Sequence, residues 1–592
     1  MQTTIIERVS ALRDWLSSAK LNAIIIPHED EFLGEYLPEH NDRLRWITGF
    51  TGSAGLCVIT LDKAAIFIDG RYTVQVKKQV PAEIFEYCHL HDEPFTNWIA
   101  NNLAANSKIV IDPKLHSTNS FNSINQKLSS YSLTVTEENP IDALWQDRPA
   151  PLLSNAYLMD VNLTGKSSAE KRQQLAAKLA EDQIDAAIIC QLDSICWLLN
   201  IRGNDVPHLP VLLTTAILHS SGEVQLFIDA ERLPSTFINH VGMDVFIYTP
   251  KELAQQLKAL EGKKVAVDFA ATNAWISQTL EKNGALVRPA EDPCLHMKAV
   301  KNSTEIAGMR ASHIRDGVAI TKFLAWLDAE VAKGNLYDEG ELSDKLLALR
   351  QQDSSLVDLS FSTISAAGSN AAMCHYNHMD QQQPAKLELN NVYLVDSGGQ
   401  YPDGTTDITR TVAIGECSAE IKHAFTLVLK GHIALATARF PQGTCGHQLD
   451  TLARQYLWAY GLDYDHGTGH GVGHCLSVHE EPQRISKVAN NVALAAGMVL
   501  SNEPGYYQDD AFGIRIENLE LVVAVPTQGS RQTLGFEPLT RAPIDRRLVD
   551  LSLLSDTEIN WWNNYHQLVW QDLSPLIQGK DLEWLKQATQ PF

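Results

Sequence analysis

The chain has 592 residues, of which 44% are hydrophobic and 20% charged, and its net charge is −23 at pH 7. That length suggests roughly four units at about 150 residues each, in an ordinary globular composition. The acidic balance disfavours nucleic acid, whose phosphates would be repelled, and no stretch has the apolar length needed to span a bilayer.

Met1–Leu16 reads as an amphipathic helix with acidic residues, without the continuous apolar run of a secretory signal. The nine cysteines are dispersed and include no Cys-x-x-Cys pair. That pattern reads as reduced thiols in a cytoplasmic protein. A rough duplication follows. Leu12–Leu16 leads through Lys20-Leu21-Asn22 to a strand at Ala23–Pro27, and Leu175–Leu179 leads through Gln183-Ile184-Asp185 to a strand at Ala186–Cys190. Leu44–Phe50 parallels Ile195–Gly203, and Ala65–Arg71 parallels Gln225–Arg232. Helices alternate with short buried strands in both halves, which predicts two similar N-terminal α/β domains over 1–150 and 151–300. The breaks fall near Pro149-Ala150-Pro151 and Lys298–Ser303.

A third domain is expected over 301–530. Asn302 with Glu305 forms a capping box that opens a long helix through Trp326. Val392–Val395 reads as a buried strand ending at Asp396, Pro402-Asp403-Gly404 as a turn, and Thr405–Val412 as a returning β-branched strand. Such a hairpin brings Asp396 and Asp407 together. Two carboxylates that close repel unless cations lie between them; alone, the pair reads equally well as two solvated turn aspartates. His470 lies in Asp465–His474, where four glycines in seven residues let the backbone approach something closely. No Gly-Lys-Ser/Thr follows, as a phosphate loop would require, and the glycines disfavour a helical zinc pair. His466, His470, His474 and His479 cluster in this segment. Glu503 follows the apolar run Met498–Leu500, and Pro504 stiffens the turn after it. Glu517 lies in Phe512–Val523, which alternates as one strand; by itself it would face solvent. Arg515 would share its strand face, with a surface salt bridge as the alternative. A tail over 531–592 carries helical patterns at Asp556–Trp570 and Asp581–Ala588. Its Trp561, Trp562, Trp570 and Trp584 form a stripe that packs on its own protein or on a partner.

The segments LVDSGGQYPDGTTDITRT, HGTGHGVGHCLSVHEEP, SNEPGYY and GIRIEN resemble the metallopeptidase family with the pita-bread fold, which includes proline dipeptidase and creatinase. RWITGFTGSAG, FIDGRYTVQ, ICWLLNIRGNDVPHLPV and the tail extend the resemblance over essentially the whole chain, most closely to the three-domain aminopeptidase P branch. It implies an α/β and α+β architecture. Two creatinase-like domains would precede a pita-bread catalytic domain, with a C-terminal extension packed on it. It also implies a metal centre of Asp396, Asp407, His470, Glu503 and Glu517. Asp396 would bind one ion in bidentate fashion, Asp407 and Glu517 would bridge two, and His470 and Glu503 would complete the other shell. Four carboxylates and one imidazole favour hard divalent ions such as Mn2+.

The implied activity is hydrolysis of the bond between an N-terminal residue and a penultimate proline by a metal-bridging hydroxide. Glu503 would shuttle the proton. His375 and His479 would hydrogen-bond substrate carbonyls or the oxyanion, with His378 a rival to His375. Arg515 would orient the ligating carboxylates. Peptides with proline in second position, a homodimer and a cytoplasmic setting are expected, with no nucleic acid or membrane partner. Proline dipeptidase is the nearest alternative, ahead of a creatinase-like hydrolase or a non-catalytic peptide-binding relative.

Overall fold

A reciprocal capping box opens the first helix, α1 (Ile5–Ser18): Thr4 accepts from the Glu7 amide while Glu7 reaches back to the Thr4 amide. The computed structural model describes residues 4–592 except Val74 and Glu137. Residues 1–3 of the expected N-terminal helix and Val74 of the FIDGRYTVQ segment therefore lie outside the described residues. After α1, six strands form one sheet: β1 (Ala23–Pro27), β2 (Leu56–Thr60), β3 (Ala64–Ile68), β4 (Glu86–His89), β5 (Lys108–Val110) and β6 (Ser132–Thr134). Their order is β4-β3-β2-β1-β5-β6, with β1 antiparallel to β2 and parallel to β5.

The duplication is visible in the topology. Ser167 and Glu170 make the same capping box at α2 (Ser168–Glu181). The next sheet contains β7 (Ala186–Ile189), β8 (Thr215–His219), β9 (Val224–Phe227), β10 (Val245–Tyr248), β11 (Lys264–Val267) and β12 (Leu286–Pro289), in the order β10-β9-β8-β7-β11-β12. Here β7 is antiparallel to β8 and parallel to β11, as β1 is to its neighbours. Every residue of β1 and β7 is buried. A strand covered on both faces reads as a continuous apolar run, which is why both stand out in the sequence.

The chain forms two compact units: residues up to Leu158 with Lys166–Cys294, and Met159–Gly165 with Leu295–Phe592. In the second unit Asn302 accepts from the amides of Thr304 and Glu305, opening α3 (Ser303–Ala332). This helix runs past Trp326 because no breaker intervenes before Gly334, whose φ is +86°. The Asn302 side chain also donates to Thr164 O at 2.9 Å, tying the 159–165 segment to the start of α3.

After α4 (Glu339–Arg350) comes a three-stranded sheet of β13 (Ile364–Ala367), β14 (Asn391–Ser397) and β17 (Ile408–Ile414), ordered β13-β14-β17. At its turn sits a small hairpin, β15 (Gly399–Tyr401) and β16 (Gly404–Thr405). The expected returning strand is thus divided: residues 404–405 belong to the small hairpin and β17 begins at Ile408. Gly398 permits the fold-back, since a Cβ there would lie 1.9 Å from Thr406 O.

Next come helices α5 (Ala419–Ala436) and α6 (His447–Trp458), then β18 (Gly469–Gly471), β19 (Glu480–Ile485), β20 (Val499–Asn502), β21 (Gly505–Gln508), β22 (Phe512–Arg515), β23 (Asn518–Val525) and β24 (Thr533–Pro538). The run read as one strand over Phe512–Val523 is two. β22 pairs with β21, and β23 enters a six-stranded sheet ordered Phe440–Pro441, β24, β23, β20, β18, β19. At the step between them the Glu517 amide donates to Thr409 O. The tail adds β24 to this sheet, then α7 (Asp556–Leu573) and α8 (Gly579–Ala588). Trp562 is fully buried among α5, β22 and tail residues, and Trp584 donates to Asp328 on α3. The stripe therefore packs on its own protein. All nine cysteines are free thiols, and among the described residues no helix is long and apolar enough to cross a membrane.

Candidate metal centre

The strand register brings the five acidic and imidazole side chains to one place. Asp396, on β14, lies opposite Thr409 of β17, and Asp407 stands just before β17. β18 carries His470 between β19 and β20, and Glu503 follows β20. Gly469 is required here, since a Cβ would meet Ser501 O at 2.0 Å. Glu517 enters from the step before β23 and is 1% exposed, so the solvent-facing reading of this residue does not hold.

The distances are those of a common ligand set. His470 Nε2 is 3.5 Å from Asp407 Oδ2 and 3.4 Å from Glu503 Oε1. Single ligand atoms of Asp407, His470 and Glu517 lie within 4.8 Å of one another. His470 Nδ1 contacts Gly471 O at 2.9 Å, which assigns the proton to Nδ1 and turns the Nε2 lone pair toward the carboxylates. Ser501 links the two strands: it accepts from the His470 amide and donates to Glu503 Oε1. The Oδ1 atoms of both Asp396 and Asp407 are buried without a hydrogen-bond partner. Two orphaned carboxylate oxygens in an oxygen-rich set are what hard divalent ions would satisfy. The residues fit a pair of such ions.

Charge repulsion gives the same answer. Burial, then Glu517, Asp396 and Glu503, push the Asp407 carboxyl well above its ordinary range. Burial, then Asp396 and Glu503, do the same to Glu517. Burial and the Asp396 charge raise Glu503 to about 7, against the pull of Arg515. Groups whose folded pKa is raised retain protons that the unfolded chain has released, so without metal this cluster costs stability as pH climbs from the carboxylate range toward 7. Divalent ions replace those protons. Thermal unfolding of chelated and Mn2+-loaded protein between pH 5.5 and 8 should therefore show a gap in midpoint that widens with pH; a gap that narrows would contradict the assignment.

Arg515 is buried, not a surface partner. Its Nη2 donates to Asp396 Oδ2 at 2.5 Å, its Nε to Thr409 Oγ and its Nη1 to Tyr507 OH. Thr409 Oγ in turn donates to Glu517 Oε2 at 2.7 Å, so one short chain of bonds orients two of the carboxylates. It continues outward: Tyr507 OH lies 2.8 Å from His466 Nε2, and His466 Nδ1 lies 2.7 Å from Gly467 O. Burial drives His466 well below the usual imidazole range, so the ring is neutral and accepts from the phenol. The sequence pattern puts His466 in the histidine cluster and assigns no role to it or to Tyr507. The tyrosine pair after Glu503-Pro504-Gly505 was the available signal.

The His479 ring packs edge-on against His470, with centroids 4.4 Å apart. His375 and His378 part company. His375 acts electrostatically on His466 at the site, whereas buried His378 sits against Gly340 at the start of α4, in the field of Glu339, Asp344 and Asp338.

A buried, carboxylate-rich donor set between two sheets of a pita-bread domain defines a metallohydrolase. Family models match throughout: a creatinase/prolidase N-terminal domain at 8–144 and again at 147–305, metallopeptidase family M24 at 307–524, and the C-terminal region of that peptidase at 532–592. The chain is 40% identical to a probable Xaa-Pro aminopeptidase P of Laccaria bicolor, covering 99% of this chain and 93% of that one. It is 38% identical to aminopeptidase P2 of Arabidopsis thaliana, covering 100% and 89%. The solved X-prolyl aminopeptidase of Caenorhabditis elegans, described as a cytosolic enzyme with a di-nuclear active site, superposes with a TM-score of 0.95 at 35% identity over the full length of both. The chain belongs to metallopeptidase family M24, in its three-domain aminopeptidase P branch.

Proposed function

We propose that this protein is an aminopeptidase that releases the N-terminal residue from peptides with proline in second position, using two divalent ions held by Asp396, Asp407, His470, Glu503 and Glu517. The observation that carries the reading is the convergence of these five side chains, two with orphaned buried oxygens, from segments up to 121 residues apart. The oxygen-rich donors favour Mn2+. Bound ions would supply Lewis acidity and lower the pKa of water from about 15.7 toward 7.

The chain's own residues divide the remaining work. Glu503 Oε1 is held by Ser501, which leaves Oε2 to carry a proton toward the departing proline nitrogen. His375 and His479 donate hydrogen bonds to substrate carbonyl oxygen, where negative charge develops. Arg515 and Thr409 hold Asp396 and Glu517 in the orientation the ions need. A peptidyl-proline bond has no N–H and a fixed φ, so its enzyme must bind it without asking for that donor. The proline preference rests on the relatives' names. A cytoplasmic setting is supported by the free thiols and the cytosolic relative. The homodimer follows the family resemblance, and the domain limits at 150, 300 and 530 follow the breaks in the sequence pattern.

Hydrolysis of Arg-Pro-Pro and Gly-Pro, with and without added Mn2+ after metal analysis, tests the proposal. Arg-Pro-Pro should lose its arginine in a Mn2+-dependent way. Cleavage of Gly-Pro alone would make the protein a proline dipeptidase, and full activity after exhaustive chelation would remove the metals from the mechanism.

A further inference from the structure

A buried cation, Arg410, ties the C-terminal extension to the metal centre. Arg410 follows Thr409, the residue that orients Glu517, and is 2% exposed. Its Nε donates to Pro543 O, its Nη1 to Thr409 O and to Glu517 O at 2.6 Å, and its Nη2 to Asn518 Oδ1, Ala542 O and the hydroxyl of Tyr565 at 2.9 Å. All five guanidinium N–H groups are therefore used. Among the described residues every one of these acceptors is neutral, so the charge is spent on no single carboxylate. Burial lowers the Arg410 pKa, and the Glu517 charge acts against that shift.

The same network extends to the other ligand strand. Asn518 Nδ2 lies 3.3 Å from His432 Nε2, and His432 Nδ1 lies 3.1 Å from the carbonyl of Asn502, the residue before Glu503. Burial depresses His432 to about 3. A neutral ring there donates from Nδ1 to Asn502 O and accepts at Nε2 from Asn518. Asn502 answers by donating its side-chain amide to His432 O. Tyr565 stands on α7 in the extension and donates to Ala542 O at 2.9 Å. One hydroxyl of the tail thus closes a net that holds the backbone at Glu517 and next to Glu503.

We propose that Arg410 and Tyr565 form a clamp through which the C-terminal extension sets Glu517 and Glu503 for ion binding, making the extension a working part of the metal centre. Both are positioning residues, and the inference rests on reading the five donors as a metal site.

Tyr565→Phe removes one oxygen and leaves the ring packing in place. Chelated wild type and variants are titrated with Mn2+ alone, free ion being followed by electron paramagnetic resonance, and unfolding midpoints are recorded without metal. Tyr565→Phe should weaken the looser-bound ion about tenfold, at the low end of the roughly 10- to 100-fold effect of groups that orient metal ligands. Saturating Mn2+ should restore most of kcat. Arg410→Lys, which keeps the charge and loses the fork, should weaken it further. Trp570→Phe, elsewhere on α7, should leave affinity as in wild type while sharing any small change in midpoint. Affinity of Tyr565→Phe within twofold of wild type, or an equal loss in Trp570→Phe, would overturn the clamp. Wild-type protein that takes up no divalent ion would sink the metal-centre reading, and the clamp with it, before any variant is compared.

Discussion

Replacing Asp407 by Asn should lower turnover of a proline-second peptide by about a thousandfold or more, while raising the unfolding midpoint of the metal-free protein at pH 8. The first effect follows from position. Asp407 is 4% exposed, and its Oδ2 faces His470 while its Oδ1 has no partner inside the protein. An amide keeps the shape but takes away the charge that would neutralise the ions and one of the oxygens that would bind them. A thousandfold loss corresponds to about 4 kcal/mol of transition-state stabilisation, since each 1.36 kcal/mol is a factor of ten. The second effect has the opposite sign because the metal-free site is self-repelling. Glu517, Asp396 and Glu503 all raise the Asp407 pKa, so ionising it in the folded state is costly. Removing the charge relieves that cost, a trade of stability against activity common at functional sites. Steady-state kinetics and calorimetry of chelated protein measure the two effects. Loss of activity together with a fall in the metal-free midpoint would mean that Asp407 is a structural residue.

The candidate donors stood out because each sits in a short segment with its own local pattern: a strand end, a glycine-rich turn, a carboxylate before proline. The duplication was legible because β1 and β7 are buried on both faces and so leave continuous apolar runs. What local pattern could not show was the long-range chemistry. Arg515 reaches Asp396 across 119 residues of sequence, and Arg410 reaches Tyr565 across 155. Alternation over Phe512–Val523 predicts one strand, yet the Glu517 amide bonds to Thr409 O and breaks it. That break turns Glu517 inward. A period-two pattern describes which residues could share a face, and a hydrogen bond from another sheet decides where the strand stops.

Glu480→Ala should be the most destabilising single change near the site. Glu480 opens β19, directly after His479, and its side chain is fully buried. Lys298 Nζ lies 3.3 Å from Oε1, and Lys301 Nζ bonds Oε2. Both ammonium groups are at most 1% exposed, so the carboxylate is a counter-charge shared by two buried cations. Breaking a buried ion pair by deleting one partner costs about 3–5 kcal/mol, because the remaining charge stays desolvated. Here the loss falls on two lysines just before α3 and loosens the strand that presents His479 beside His470. Denaturant unfolding should show a lower midpoint of that size, and the role proposed for His479 at the reacting carbonyl predicts that kcat falls more than KM rises. Lys301→Met with Glu480→Met should cost less than the sum of the two single changes, because the Glu480–Lys301 attraction is lost once in the double variant but is counted in both single changes. Strict additivity, or an unchanged midpoint for Glu480→Ala, would show that the three groups do not act as one buried unit.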